Sequence, residues 1–192
     1  MLLKTIATGS GGNCHALIAD TGEILLLDLG ENEKKIKKGI GWKISDVVGA
    51  IVTHKHADHS KSVKDFERMG IPVFKPYENT ETFVKKYSGF KIQAFDLTTI
   101  DGKWTHTDAD GTDCPIYGFM IVHKEMGRML YITDCKVIKW KFKSINHITT
   151  SFIPYSNYLL FVSCVSSYNS SSTSQYLQSF ATFPVSPLPL HY

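Results

Sequence analysis

The sequence predicts an α+β fold in which two β-sheets stack and helices pack outside them. Two observations carry this expectation. Strand-like segments predominate along residues 1–148, with helical segments inserted between them rather than gathered at one end. The run Ile24-Leu25-Leu26-Leu27 is apolar throughout, as a strand covered on both faces requires.

Residues 2–8 read as an opening strand, followed by the glycine-rich loop Gly9-Ser10-Gly11-Gly12-Asn13. Residues 14–20 and 23–28 form a hairpin about the Thr21-Gly22 turn. Residues 32–38 suit a short basic helix, and 49–53 form the next strand. Ser60 is placed to cap a helix whose Val63, Phe66 and Met69 fall at i, i+3 and i+6, with Gly70 ending it. A strand over 71–74, a helix over 79–87 and a strand over 91–95 follow. Residues 116–123 and 128–133 form a second hairpin across Lys124-Glu125-Met126-Gly127.

Bulk properties bound the function. At 192 residues the chain suits one domain with a real core. A net charge of +3 argues neither for nor against a nucleic-acid partner. No run of 18 apolar residues exists to cross a membrane, and Met1-Leu2-Leu3-Lys4 lacks the marks of a signal peptide. Cys14, Cys114, Cys135 and Cys164 are scattered, which fits reduced thiols and a cytoplasmic location better than a disulfide framework. The last 44 residues, 149–192, stand apart: they hold no charged residue and no glycine, and 11 are serine. They read as an anomalous tail outside the domain formed by residues 1–148, as after a shifted reading frame.

The chemistry concentrates in His54-Lys55-His56-Ala57-Asp58-His59, four potential ligands in six residues directly after the apolar strand 49–53. Imidazole and carboxylate together suit zinc, and a tight loop can aim alternate side chains at two ions. One loop cannot fill two coordination shells, so further ligands are sought at strand ends, where rigid backbone holds geometry. Asp134, just past Leu130-Tyr131-Ile132-Thr133, is the best of these and is placed to bridge two ions. His106 lies in a polar loop and completes a three-histidine set for the first ion. Asp28 closes a buried strand and suits orienting a ligand histidine better than binding metal itself. His15 and His123 read as structural.

In order and spacing, Asp28-Leu29-Gly30, then Thr53 with His54-x-His56-x-Asp58-His59, then His106, then Thr133-Asp134 resemble the metallo-β-lactamase superfamily. The opening Thr8-Gly9-Ser10-Gly11-Gly12-Asn13-Cys14 looks like its small cytosolic bacterial and phage branch, related to DNA exonucleases. The resemblance implies an αββα sandwich with a dinuclear zinc site. His54, His56 and His106 would hold one ion, Asp58 and His59 the other, with Asp134 between them. Family members continue past Ile148 with further αβ structure and supply a late histidine to the second ion. Residues 149–192 offer only His191, so the expectation is a chain truncated or frame-shifted after about Ile148, its C-terminal part and second site incomplete.

The function these residues imply is a zinc-dependent hydrolase using a metal-bound hydroxide, with Asp58 also handling the proton; manganese is the alternative metal. Lys34, Lys35, Lys37 and Lys38, and then Lys136, Lys139, Lys141 and Lys143 around Trp140, form two basic clusters. With Trp104 or Trp140 to stack, they lean the substrate toward DNA or another nucleic acid. Two solvated basic faces read the lysines equally well. The alternatives are a hydrolase of small esters or thioesters and a catalytically impaired metal-binding remnant.

Overall fold

The computed structural model describes residues 1–78, 83–100, 103–107, 110–134, 142–143, 145–151 and 164–165. Strands β1 (Leu2–Ala7), β2 (Cys14–Ile18) and β3 (Ile24–Leu27) form an antiparallel meander. Beyond β3 the chain must cross over to pair in parallel, and a helix supplies each crossover. Helix α1 (Glu33–Gly39) leads to β4 (Val47–Ile51); α2 (Ala57–Ser60) and α3 (Val63–Arg68) lead to β5 (Val73–Phe74). The first sheet therefore runs β1-β2-β3-β4-β5, with β3, β4 and β5 parallel.

The second sheet is built from β6 (Val84–Tyr87), β7 (Phe90–Asp96), β10 (Tyr117–His123), β11 (Gly127–Thr133) and β13 (His147–Ser151). Its order is β13-β11-β10-β7-β6, antiparallel except for the parallel β11–β13 pair. The short pairs β8 (Thr99–Ile100) with β9 (Lys103–Trp104), and β12 (Phe142–Lys143) with β14 (Cys164–Val165), lie apart from both sheets. Among the described residues no helix is long and apolar enough to cross a membrane.

Strand alternation explains the layers. Leu25 and Leu27 face the second sheet and pack with Leu17, Ile51, Phe74, Phe90, Phe119 and Tyr131. Their neighbours Ile24 and Leu26 face the other way, onto Ile36 of α1 and Val63 and Phe66 of α3. That double covering is why β3 carries no polar residue. Leu97, Ile116, Leu130 and Ile132 form a smaller cluster on the outer side of the second sheet. The α+β sandwich is thus as expected, and among the described residues no helix covers the second sheet.

Two local expectations fail. Residues 84–87 form a strand, not the end of a helix over 79–87, whose residues 79–82 lie outside the described set. Tyr87 and Phe90 pair across the Ser88-Gly89 turn, so register with β7 overrides the helical pattern. Ser60 does not cap α3: it ends α2, and its hydroxyl donates back to the carbonyls of Lys55 and His56. Ser62 holds the cap position instead, but its hydroxyl serves the Glu31 carbonyl at 2.5 Å.

Candidate metal centre

The six-residue block leaves β4 and begins α2, so its side chains fan out at one end of the two sheets. Backbone contacts seat it. Leu29 N–H donates to the His59 carbonyl and Asn13 N–H to the Asp58 carbonyl, at 2.8 and 2.7 Å. Gly30 lies so close to the Asp58 carbonyl that a Cβ there would stand 1.6 Å from its oxygen. Gly12, at φ +153°, is pressed in the same way on the Gly30 carbonyl. Both positions therefore demand glycine.

Two groups of donor atoms converge. Ring nitrogens of His54, His56 and His106 lie within 4.8 Å of one another, as do those of His54 and His59 with an Asp134 carboxylate oxygen. Asp134 Oδ2 stands 2.8 Å from His59 Nε2 and 3.7 Å from His54 Nε2, between the two groups. Asp58 Oδ2 is 3.5 Å from the same His59 nitrogen. Asp28 and Asp134, each just past its strand, take left-handed φ angles of 56° and 51°, a region aspartate tolerates better than most residues.

Asp28 holds the arrangement from behind. Its Oδ2 accepts from His59 Nδ1 at 2.7 Å and from the Tyr131 hydroxyl at 2.7 Å; its Oδ1 accepts from Thr53 N at 2.8 Å. The Thr53 hydroxyl also donates to Asp28, which leaves its lone pairs to accept from the Thr133 hydroxyl and from His54 Nδ1, both at 3.1 Å. These bonds turn Nε2 of both rings into the site. The neutral His54 ring keeps its proton on Nδ1, whereas the metal-free His59 ring, between Asp28 and Asp134, is protonated on both nitrogens and would give up the Nε2 proton to a bound metal. Each ring thus has its outer nitrogen fixed by a hydrogen bond, the usual support of a metal-binding histidine.

Electrostatics agree with a cation at this place. Burial opposes charge on His59, but the Asp28 carboxylate and hydrogen bonds with Asp134, Asp28 and Asp58 push its pKa up to about 12. His54 is held well below the ordinary histidine range by burial and by the charges of His59, His106 and His56. Burial and His56 also lower His106. For Asp58, burial works against ionisation, yet the bond to and charge of His59 keep its pKa below the usual value. His54 Nε2 is fully buried with no hydrogen-bond partner. An unpaired buried nitrogen is costly unless something binds it, and a ring of imidazoles and carboxylates suits a divalent transition metal. The residues present therefore fit the ion that the histidine block implies.

Five of the six candidate ligands, His54, His56, His59, His106 and Asp134, fall in these two donor groups; Asp58 lies beside them against His59, and Asp28 lies behind His59. His15 and His123 do not join them: His15 Nδ1 meets the Thr5 hydroxyl at 3.1 Å, and His123 packs on Phe90 with its Nδ1 accepting from Glu125 N. Trp140, Cys135, His191 and the lysines 136, 139 and 141 lie outside the described residues. Cys14 is buried, which pushes its thiol up and makes it a poor nucleophile. Sequence reasoning missed Tyr131, Thr133 and Asn13 as site residues. Asn13 Nδ2 donates to the Gly9 and Asp58 carbonyls and lies 3.1 Å from His59 Nε2, which ties the glycine loop to the metal loop.

Residues 7–150 match the family model of the Metallo-beta-lactamase superfamily. Among solved structures the chain is similar to the B3 metallo-beta-lactamase BLEG-1, at 17% identity over 71% of this chain and 75% of that one, with a TM-score of 0.48. It is similar to the metallo-beta-lactamase fold protein YhfI from Bacillus subtilis, at 12% identity over 76% of each chain and a TM-score of 0.47. The short form of human tRNase Z is a further likeness, at 17% identity over 68% of this chain and 67% of that one, with a TM-score of 0.41. No curated protein matches the chain in sequence.

Proposed function

The chain belongs to the metallo-beta-lactamase superfamily of metal-dependent hydrolases, and from that membership we propose that it is a zinc-dependent phosphodiesterase of the exonuclease-like branch, acting on nucleic acid. The observation that carries the metal reading is the buried, unpartnered His54 Nε2, which faces the nitrogens of His56 and His106 and the Asp134 carboxylate. His54, His56 and His106 would hold one ion, Asp58 and His59 the other, with Asp134 shared. Bound there, divalent ions supply Lewis-acid polarisation of the scissile group and a water of lowered pKa.

The chain's own residues do the rest. Asp28 and Thr53 keep Nε2 of His59 and of His54 aimed into the site through the bonds described above. Asp58 is half-buried where His59 is fully buried. Its ionised carboxylate lies beside the cluster, with Oδ2 3.5 Å from His59 Nε2, and is the group to which we assign the proton. The lysine-rich α1 beside the metal loop favours a polyanion over a small neutral ester.

Metal content per chain and hydrolysis of a single-stranded oligonucleotide test the proposal together. Bound zinc, with turnover lost by at least 100-fold in Asp58→Ala, is the expected result. Zinc binding with turnover only of a thioester or small ester would overturn the substrate. Absence of bound metal, or activity indifferent to Asp58→Ala, would overturn the mechanism.

A further inference from the structure

Residues 31–43 contain five lysines, Lys34, Lys35, Lys37, Lys38 and Lys43, against two acids, Glu31 and Glu33. The surplus of three equals the formal net charge of the whole chain, +3. Both acids are neutralised inside the segment: Glu31 pairs with Lys35 at 2.6 Å and Glu33 with Lys37 at 2.5 Å. Lys34, Lys38 and Lys43 remain exposed and form no ion pair among the described residues. Lys34 and Lys38 are one turn apart on α1, about 6 Å along its axis, and so share a face.

Trp42 adds a second, independent observation. It is 62% exposed, yet its backbone sits at φ 63°, directly after Gly41 at φ 66°. Its N–H donates to the Lys37 carbonyl at 2.7 Å, which ties residue 42 back to the last turn of α1. Left-handed backbone is unfavourable for a bulky residue, and an indole left in water gains little burial to offset it. Such an outlier at the surface points to a role for the exposed ring. The other end of α1 touches the metal loop: Asn32 caps the helix two residues after Gly30, which rests on the Asp58 carbonyl, and Ser62 Oγ donates to the Glu31 carbonyl.

We propose that this segment is a docking track for single-stranded nucleic acid, in which Trp42 stacks an unpaired base and Lys34, Lys38 and Lys43 hold phosphates of a strand leading to the metal centre. A single strand suits it better than a duplex, because an indole can stack only on a base free of its pair. The inference rests on the nucleic-acid reading of the preceding section and names the surface that reading needs.

The test is binding of a short phosphorothioate oligothymidylate to the zinc-loaded full chain, followed by fluorescence anisotropy across a salt series. Trp42→Ala is expected to weaken binding by about fivefold to 150-fold, the range for one stacked base, while Trp42→Phe keeps most of the affinity. The double variant Lys34→Ala/Lys38→Ala is expected to reduce the slope of log affinity against log salt by about 1.4, for two single-strand phosphate contacts. All the altered side chains are exposed, and unchanged melting temperatures check that the variants fold. Parent-like affinity in Trp42→Ala, or an unchanged slope in the double variant, overturns the track. If the parent hydrolyses oligonucleotides and these variants do so with unchanged KM, the track falls while the hydrolase reading stands. If the variants bind less tightly but the parent cleaves nothing, the track stands and the hydrolase reading falls. Binding of phosphatidylserine vesicles through the same residues, with none to the oligonucleotide, overturns the track in favour of a membrane surface.

Discussion

Asp28 is the residue with the most at stake. It is fully buried and accepts from His59, Tyr131 and Thr53 at once. Replacing it by Asn removes the charge that His59 faces and leaves buried donors poorly matched. Asp28→Asn should therefore lose about 3–5 kcal/mol of stability, read from urea midpoints, and about 10- to 100-fold in metal affinity, read by titration with a competing chelator. Unchanged values in both would dismiss its positioning role. His59 predicts a pH dependence in the metal-free chain. Its folded pKa lies near 12, against an ordinary value of 6.5. The stability it contributes is complete below pH 6.5 and declines as pH rises toward 12. With chelator present, urea midpoints should thus fall between pH 7 and pH 9, and His59→Gln should flatten that fall. A midpoint rising over this range in the parent would contradict the geometry around His59.

At the scale of elements, the metal loop is held by glycines on a neighbouring loop rather than by its own sequence. Gly30→Ala would drive a Cβ into the Asp58 carbonyl at 1.6 Å, a contact no side-chain motion relieves. We expect a loss of more than about 4 kcal/mol, or no folded protein, by thermal unfolding. Gly11→Ala, where nothing lies within 4 Å, should stay within about 0.5 kcal/mol of the parent and serves as the comparison. The elements also show where local reading works. Strands β3, β10 and β11 announce themselves by apolar runs, since each is covered over most of its length. Strand β6 does not: Val-Lys-Lys-Tyr carries no strong pattern, and only its pairing with β7 makes it extended.

Across the whole molecule, the centre joins the two sheets. Asp28, Thr53 and the histidine block follow strands of the first sheet, while Tyr131, Thr133 and Asp134 come from or follow β11 of the second. Metal bound there should therefore stabilise the sandwich as a unit. At a free ion concentration 100 times its dissociation constant, one site contributes about 2.7 kcal/mol. Adding EDTA should lower the melting temperature of the zinc-loaded parent, and His54→Ala should remove most of that difference. A parent indifferent to EDTA would mean that the cluster holds no metal.

The ligand block, the strand before it, and the apolar faces of β3 and β11 were legible in the sequence, because spacing and alternation act over a few neighbouring residues. Asp134 and His106 were legible as candidates from their chemistry and place in the chain. Tertiary structure alone decided that Tyr131 reaches Asp28 across 103 residues and that Asn13 reaches His59 across 46. It also decided that Ser62 rather than Ser60 stands at the start of α3. These contacts depend on how the two sheets register and how closely Gly12, Gly30 and Asp58 stack. Neither is encoded in any local pattern, since each is settled by the packing of segments far apart in the chain.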